Sequence, residues 1–138
     1  MNAKDVQPSA SPSVRVIAMP ADTNPAGDIF GGWLMAQMDL AAGNVAARYS
    51  GGRTVTVAVE TMTFLHPVYV GDEVSVFAEV EKSGRSSMRI VVEAWRRPRD
   101  GPDTVKVTEA AFTFVAIDQS GRPRPIHQHR ENNDQTPR

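Results

Sequence analysis

Apolar and polar positions divide this chain into one helical stretch and several alternating ones. From Gly31 to about Tyr49 the run GGWLMAQMDLAAGNVAARY is apolar, small or neutral almost throughout. Leu34, Met38, Ala41, Val45 and Tyr49 recur at helical spacing and make one stripe; Met35, Asp39, Ala42 and Ala46 make the next. The spacing predicts a long helix, and the lack of a charged face predicts burial on most of its surface. Gly51-Gly52, residues that tolerate positive φ, end it. Five other stretches are rich in β-branched residues and alternate as strands do: residues 14–20, 54–65, 73–81, 87–95 and 104–117. His66-Pro67 closes the second, because proline cannot donate to a ladder. A turn containing Gly84 joins the third to the fourth. ADTNPAGDIFGG, between the first strand and the helix, is a loop by its Gly, Pro, Asn and Asp content.

The order strand, long helix, four antiparallel strands predicts an α+β fold. One central helix is wrapped by a curved, five-stranded antiparallel sheet. Open sheet edges invite pairing with a second copy. The length of 138 residues predicts one domain. Its folded part is expected over 13–120, between a flexible lead at 1–12 and a polar, proline-rich, disordered tail at 121–138.

Composition narrows the chemistry. The chain has 15 basic and 16 acidic residues, a formal net charge of −1, so a nucleic-acid partner is not expected. It has no cysteine, which removes disulfides, thiolate nucleophiles and cysteine-held zinc. No apolar run approaches the roughly 20 residues that span a bilayer, and the first residues hold no apolar signal segment. The expectation is a cytoplasmic protein without a membrane partner. His127 and His129 form an HxH without a third ligand, so no metal site is expected. The double glycine fits neither a dinucleotide fingerprint nor a P-loop.

Asp39 is the only charged residue between Gly31 and Ala47. A lone carboxylate in an apolar helix loses hydration with no nearby cation to offset the loss, which makes it a candidate for chemistry. The competing reading is a carboxylate hydrogen-bonded as structural glue. Gly31 and Gly32 open the helix, where unpaired N–H groups at the positive end of the dipole suit a developing oxyanion. Asp39 lies roughly 10 Å further along the axis. A thioester carbonyl on the amides and a water beside the carboxylate would make a general-base or nucleophilic site. KSGRSSMR (82–89) could hold a phosphate, although an ordinary hairpin has the same composition. His66, before a proline at a strand end, reads as a packing or capping residue, and Trp33, Trp95 and Phe112 read as core or interface.

Four blocks carry a family resemblance: AMPADTNPAGDIFGGWLMAQMD, MTFLHPVYVGDEV, KSGRSSMRIVVEAW and TEAAFTFVAID. Together, over about residues 14–126, they resemble YciA-type acyl-CoA thioesterases, hotdog-fold proteins related to the mammalian cytosolic acyl-CoA thioesterases. The resemblance implies hydrolysis of acyl-CoA to free CoA and a carboxylic acid, with no cofactor beyond the CoA of substrate and product. It places the working aspartate at Asp39 and an assisting asparagine at Asn24 from the opposite subunit of a dimer. Gly31 and Gly32 would donate N–H to the thioester oxygen. Lys82, Gly84, Arg85, Ser86 and Ser87 would meet the nucleotide end of CoA. Members of the family commonly assemble as a trimer of dimers.

Two other functions compete. A non-enzymatic acyl-CoA-binding regulatory domain would need the CoA turn but not the Asn24 and Asp39 pair, and both are present. An acyl-thioester hydratase usually needs an Asp/His pair, and His66 is the only histidine in the expected folded region.

Overall fold

The computed structural model describes residues 6–126. Its elements are β1 (Val14–Ile17), a 3-10 turn (Pro20–Asp22), α1 (Gly31–Ser50), β2 (Thr54–Phe64), β3 (Glu73–Ser83), β4 (Ser87–Arg97) and β5 (Val105–Ala116). The strands form one antiparallel sheet in the order β1-β3-β4-β5-β2, with the helix packed on one face. This is the α+β architecture the sequence predicts. β1 is shorter than the pattern suggested. The Ala18 and Asp72 backbones bond each other as the chain leaves the sheet, and Pro20 opens the 3-10 turn.

Alternation and helical period meet in one core. Leu34, Met38, Ala41, Ala42 and Ala46 face Val74, Val76, Met88, Ile90, Val92, Phe112 and Phe114, all buried. Each large side chain in that set contributes about 1.5–3 kcal/mol of burial free energy. The small residues of the stripe let the helix lie close to the sheet: a Cβ on Gly43 would meet Phe114 at 3.6 Å. Trp95 and Phe112 are buried and Trp33 packs against the core, as their composition suggested.

The helix is not covered on most sides, contrary to expectation. Met35 is 39% and Leu40 62% exposed. No residue of β2 is buried, and Val55, Val57, Val59 and Phe64 are all exposed. The physical reason is topological. One five-stranded sheet curves over only one side of the helix, and β2 is an edge strand paired with β5 alone.

The chain stays packed beyond residue 120, so residues 121–126 are not the loose tail expected of them. Arg124 N–H bonds the Ala116 carbonyl, Ile126 N–H bonds the Arg85 carbonyl, and Ile126 is buried. The Arg124 guanidinium donates to the Ser50 carbonyl (3.0 Å), the Ser50 hydroxyl (3.2 Å), the Arg53 carbonyl (3.2 Å) and the Ile117 carbonyl (2.9 Å). It places a cation on the negative end of the helix dipole. Gly51 takes the left-handed conformation that ends the helix (φ 80°). Gly52 is needed for room, because a Cβ there would stand 2.8 Å from Arg124 Nη2. His127 and His129 lie outside the described residues.

Candidate active site

The start of α1 is built to leave its amides open. Phe30, extended at φ −91° and ψ 157°, precedes the helix without a side-chain cap, and no acidic residue sits in the first turn. The N–H groups of Gly31 and Gly32 have no intrahelical acceptor. The Phe64 ring lies directly over Gly31, where a Cβ would come within 3.0 Å of it. Upstream, Asn24 Oδ1 accepts the N–H groups of Ala26 (3.0 Å) and Asp28 (3.1 Å), folding the loop on itself. Its Nδ2 donates to nothing among the described residues and is free for a ligand.

Asp39 is half-buried rather than fully desolvated. Its Oδ1 accepts a 2.6 Å hydrogen bond from the Thr56 hydroxyl. Thr56 pairs with Phe114 in the β5 register, and that pairing puts it on the helix side of the sheet. Asp39 therefore stands on the uncovered flank of the helix, fixed by the exposed edge strand. Thr56 went unnoticed in the sequence. Nothing in the strand singled it out, since Thr54, Thr61 and Thr63 of β2 carry the same hydroxyl.

The β3–β4 turn lies at the far end of the helix. Ser86 bonds Ala116, Arg85 bonds Ile126, and Arg124 ties that segment to Ser50 at the helix C-terminus. Arg89 is already neutralised, donating to Glu81 (2.6 Å) and Glu60 (3.2 Å). Among the described residues, Lys82 and Arg85 form no ion pair. A cavity of about 630 Å³ there is lined by Glu60, Lys82, Ser83, Gly84, Ser87, Arg89 and Thr113.

The residues expected to act together are thus held in separate places on one protomer. Asn24 lies in the loop before the helix, Gly31 and Gly32 at the helix N-terminus, Asp39 with Thr56 at its middle, and Lys82 to Ser87 at its C-terminal end. Beside Gly31 opens a cavity of about 500 Å³, lined by Ile29, Phe30, Leu34, Phe64, Leu65, His66, Pro67, Val68 and Val107. His66 Nδ1 donates to the Lys106 carbonyl (3.0 Å), a packing role as its position suggested. Among the described residues, no group of three or more His, Cys, Asp or Glu side chains could hold a metal. None of the helices described is long and apolar enough to cross a membrane.

Residues 26–102 match the thioesterase superfamily. An uncharacterised acyl-CoA thioester hydrolase of Zymomonas mobilis is 53% identical over 122 residues, covering 88% of this chain and 82% of that one. The acyl-CoA thioester hydrolase YciA of Salmonella typhimurium is 47% identical over 129 residues, covering 91% and 97%. A hexameric broad-specificity acyl-coenzyme A thioesterase superposes with a TM-score of 0.86 at 42% identity, covering 96% and 93%; both have the hotdog fold. A Staphylococcus aureus acyl-CoA hydrolase, solved with butyryl coenzyme A and coenzyme A, gives 0.76 at 32% identity, covering 82% and 69%. That hydrolase has also been solved with an aspartate and, separately, a threonine replaced by alanine. Those two positions are 17 apart, the spacing of Asp39 and Thr56.

Proposed function

Because the chain belongs to the acyl-CoA thioester hydrolases of the thioesterase superfamily, we propose that it hydrolyses acyl-CoA to CoA and a carboxylic acid at a site shared by two subunits. Two β2 edges pair across a two-fold axis, and the pairing covers Val55, Val57, Val59 and Leu40. Each site then takes Asn24, Gly31 and Gly32 from one subunit and Asp39 with Thr56 from the other. Distance supports this division. Within one chain the opening amides and Asp39 are about 10–12 Å apart along the axis. A carbonyl bound to an amide and attacked by a carboxylate-held water spans only about 6–7 Å. Three such dimers would make the hexamer found among the structural relatives.

In this site the Gly31 and Gly32 N–H groups and Asn24 Nδ2 stabilise the oxyanion as the thioester carbon becomes tetrahedral. Asp39 either takes the proton of the attacking water, or attacks the carbon itself to give a mixed anhydride that water then hydrolyses to the acid and free Asp39. Collapse breaks the C–S bond, and the CoA thiolate leaves and takes up a proton. Lys82 and Arg85, with the Gly84–Ser87 backbone, bind the nucleotide end. The observation that carries the reading is the half-exposed Asp39 held by Thr56 on an uncovered helix flank. The test is thiol release from acyl-CoA. Asp39→Asn should lower kcat by about 10² or more with the fold intact, and near-normal turnover refutes the assignment. Single turnover in isotopically labelled water tests the nucleophilic role, because an anhydride hydrolysed at the Asp39 carbonyl leaves label on Asp39 and direct attack by water does not. A wild-type protein that binds acyl-CoA without releasing thiol would instead be the regulatory binding domain.

A further inference from the structure

Beyond β5 the chain turns back on itself in a segment that the hydrolytic chemistry does not use. Asp118 Oδ1 accepts the N–H groups of Ser120 (2.8 Å) and Arg122 (3.0 Å), and Gly121 supplies the left-handed residue of the turn (φ 84°). The chain then reaches Arg124, whose guanidinium holds the helix C-terminus. It ends at Ile126, which packs in the core and donates its N–H to the Arg85 carbonyl (2.8 Å). The Ala116 N–H donates likewise to the Ser86 carbonyl (2.8 Å). The turn between β3 and β4 is thereby gripped at two consecutive carbonyls. We propose that residues 117–126 are a strap that sets the shape of this turn for the nucleotide end of CoA, with Ile126 and Arg124 as its positioning residues. The inference rests on the thioesterase reading above, which gives the turn to CoA.

Backbone geometry links the grip to binding. The peptide bonds among the described residues are trans, and in a trans peptide the N–H points opposite to the carbonyl before it. Holding the Arg85 carbonyl toward the strap therefore turns the Ser86 N–H away from it. Among the described residues that N–H donates to no protein group. An outward amide between the cations Lys82 and Arg85 and the hydroxyl of Ser87 suits a phosphate oxygen. The turn's own closure is one bond, from the Gly84 N–H to the Ser87 carbonyl (2.8 Å). A single such bond does little against the conformational entropy of a short turn. The strap supplies what the turn lacks, because its far end is fixed. Arg124 reaches Ser50, Arg53 and Ile117 together, and Gly52 leaves it the room, since a Cβ there would stand 2.8 Å from its Nη2.

The test compares wild type with Ile126→Ala, which removes the buried anchor, Ile126→Val, which keeps it, and Gly52→Ala, which crowds Arg124 and alters no strap residue. Each protein is measured for KM and kcat on an acyl-CoA and on the matching acyl-pantetheine, for calorimetric affinity toward CoA, and for hydrogen exchange at the amides of Gly84 and residue 126. Ile126→Ala and Gly52→Ala should speed that exchange about tenfold or more. They should raise KM for acyl-CoA about five- to tenfold and leave kcat in place. KM for the acyl-pantetheine, which lacks the nucleotide, should not move. Ile126→Val should behave as wild type. A fall in kcat on both substrates alike, with neither KM changed, is what a merely structural segment would give, and it would overturn the proposal. So would unchanged exchange in both loosened variants. So would faster exchange with an unmoved KM where Lys82→Ala with Arg85→Ala raises it. Gly52→Ala keeps the test valid if Ile126→Ala does not fold. The two readings fail separately. A protein that releases no thiol, but whose affinity for CoA falls in the loosened variants, upholds the strap and refutes the thioesterase. Normal thiol release with an affinity for CoA indifferent to the loosened variants does the reverse.

Discussion

Replacing Thr56 with valine removes one hydroxyl and keeps the shape and β-branching of the side chain, so strand geometry is preserved. Asp39 then loses its 2.6 Å donor. Hydrogen bonds to charged groups contribute about 1.5–3 kcal/mol when shielded, and partial exposure lowers that to about 1–2 kcal/mol. In the free protein water replaces the lost donor, so the melting temperature should move by no more than a few degrees. In the reaction the bond holds the carboxylate for attack, and kcat should fall about 5- to 30-fold. KM should hardly change, because Thr56 is a positioning residue that binds no substrate in this scheme. Thr56→Ser, which restores the hydroxyl, should recover most of the rate. Once Asp39 is asparagine, adding Thr56→Val should cost almost nothing, because the two act as a unit. Thiol release at saturating acyl-CoA measures the four variants against wild type. Wild-type kcat in Thr56→Val, or full additivity in the double variant, would refute the reasoning.

Arg124→Ala should lower stability by about 2–4 kcal/mol in denaturant titration, since it strips the helix C-terminus of its cation and leaves the buried Ser50 hydroxyl without that donor. Turnover of the folded fraction should stay normal; an unchanged midpoint would refute the capping role. Lys82→Ala with Arg85→Ala should raise KM for acyl-CoA several-fold with little change in kcat, most at low salt. Equal losses on an acyl-pantetheine would show that the turn does not touch the nucleotide end. Asn24→Asp keeps the acceptor that folds its loop and loses the free amide donor, so it should be inactive but folded. Unfolded and refolded with inactive Asp39→Asn, it should recover about a quarter of wild-type sites. No recovery after proven subunit exchange would place both residues in one chain's site.

What the sequence revealed and what it hid follow from the range over which each feature is encoded. The helix and the four long strands were legible because their periods run for many residues, whereas β1, four residues long, was legible in place but not in extent. Asp39 was legible because its isolation is a property of its neighbours in sequence. Thr56 was not. Strict alternation from Thr54 groups Thr56 with Ala58, but β2 has register shifts between Thr56 and Ala58 and between Glu60 and Thr63. Each shift moves the following residues to the opposite face. Only after the first does Thr56 share the helix side with Val59, opposite Phe112, and no local pattern reports that. Arg124 was hidden for a related reason. Its neighbours are polar and prolyl, and its acceptors at Ser50 and Arg53 are 74 and 71 residues away in the chain.

The exposed flank of the helix explains why burial of Asp39 was misjudged. An apolar helix shows in sequence that it will be covered, but not by which chain. The uncovered features here coincide: Leu40 and Met35 on the helix, the whole of β2, and the Asp39–Thr56 pair that joins the two. Isolated apolar exposure needs no explanation, but a contiguous apolar strip along an unpaired strand edge does. The side chains that a second copy would cover are those beside the carboxylate. In the proposed site dimerisation and assembly would be one event, so a charge placed at Val57 to block β2 pairing should abolish turnover while leaving each protomer's core intact. Full activity in such a monomer would show that the site is complete within one chain.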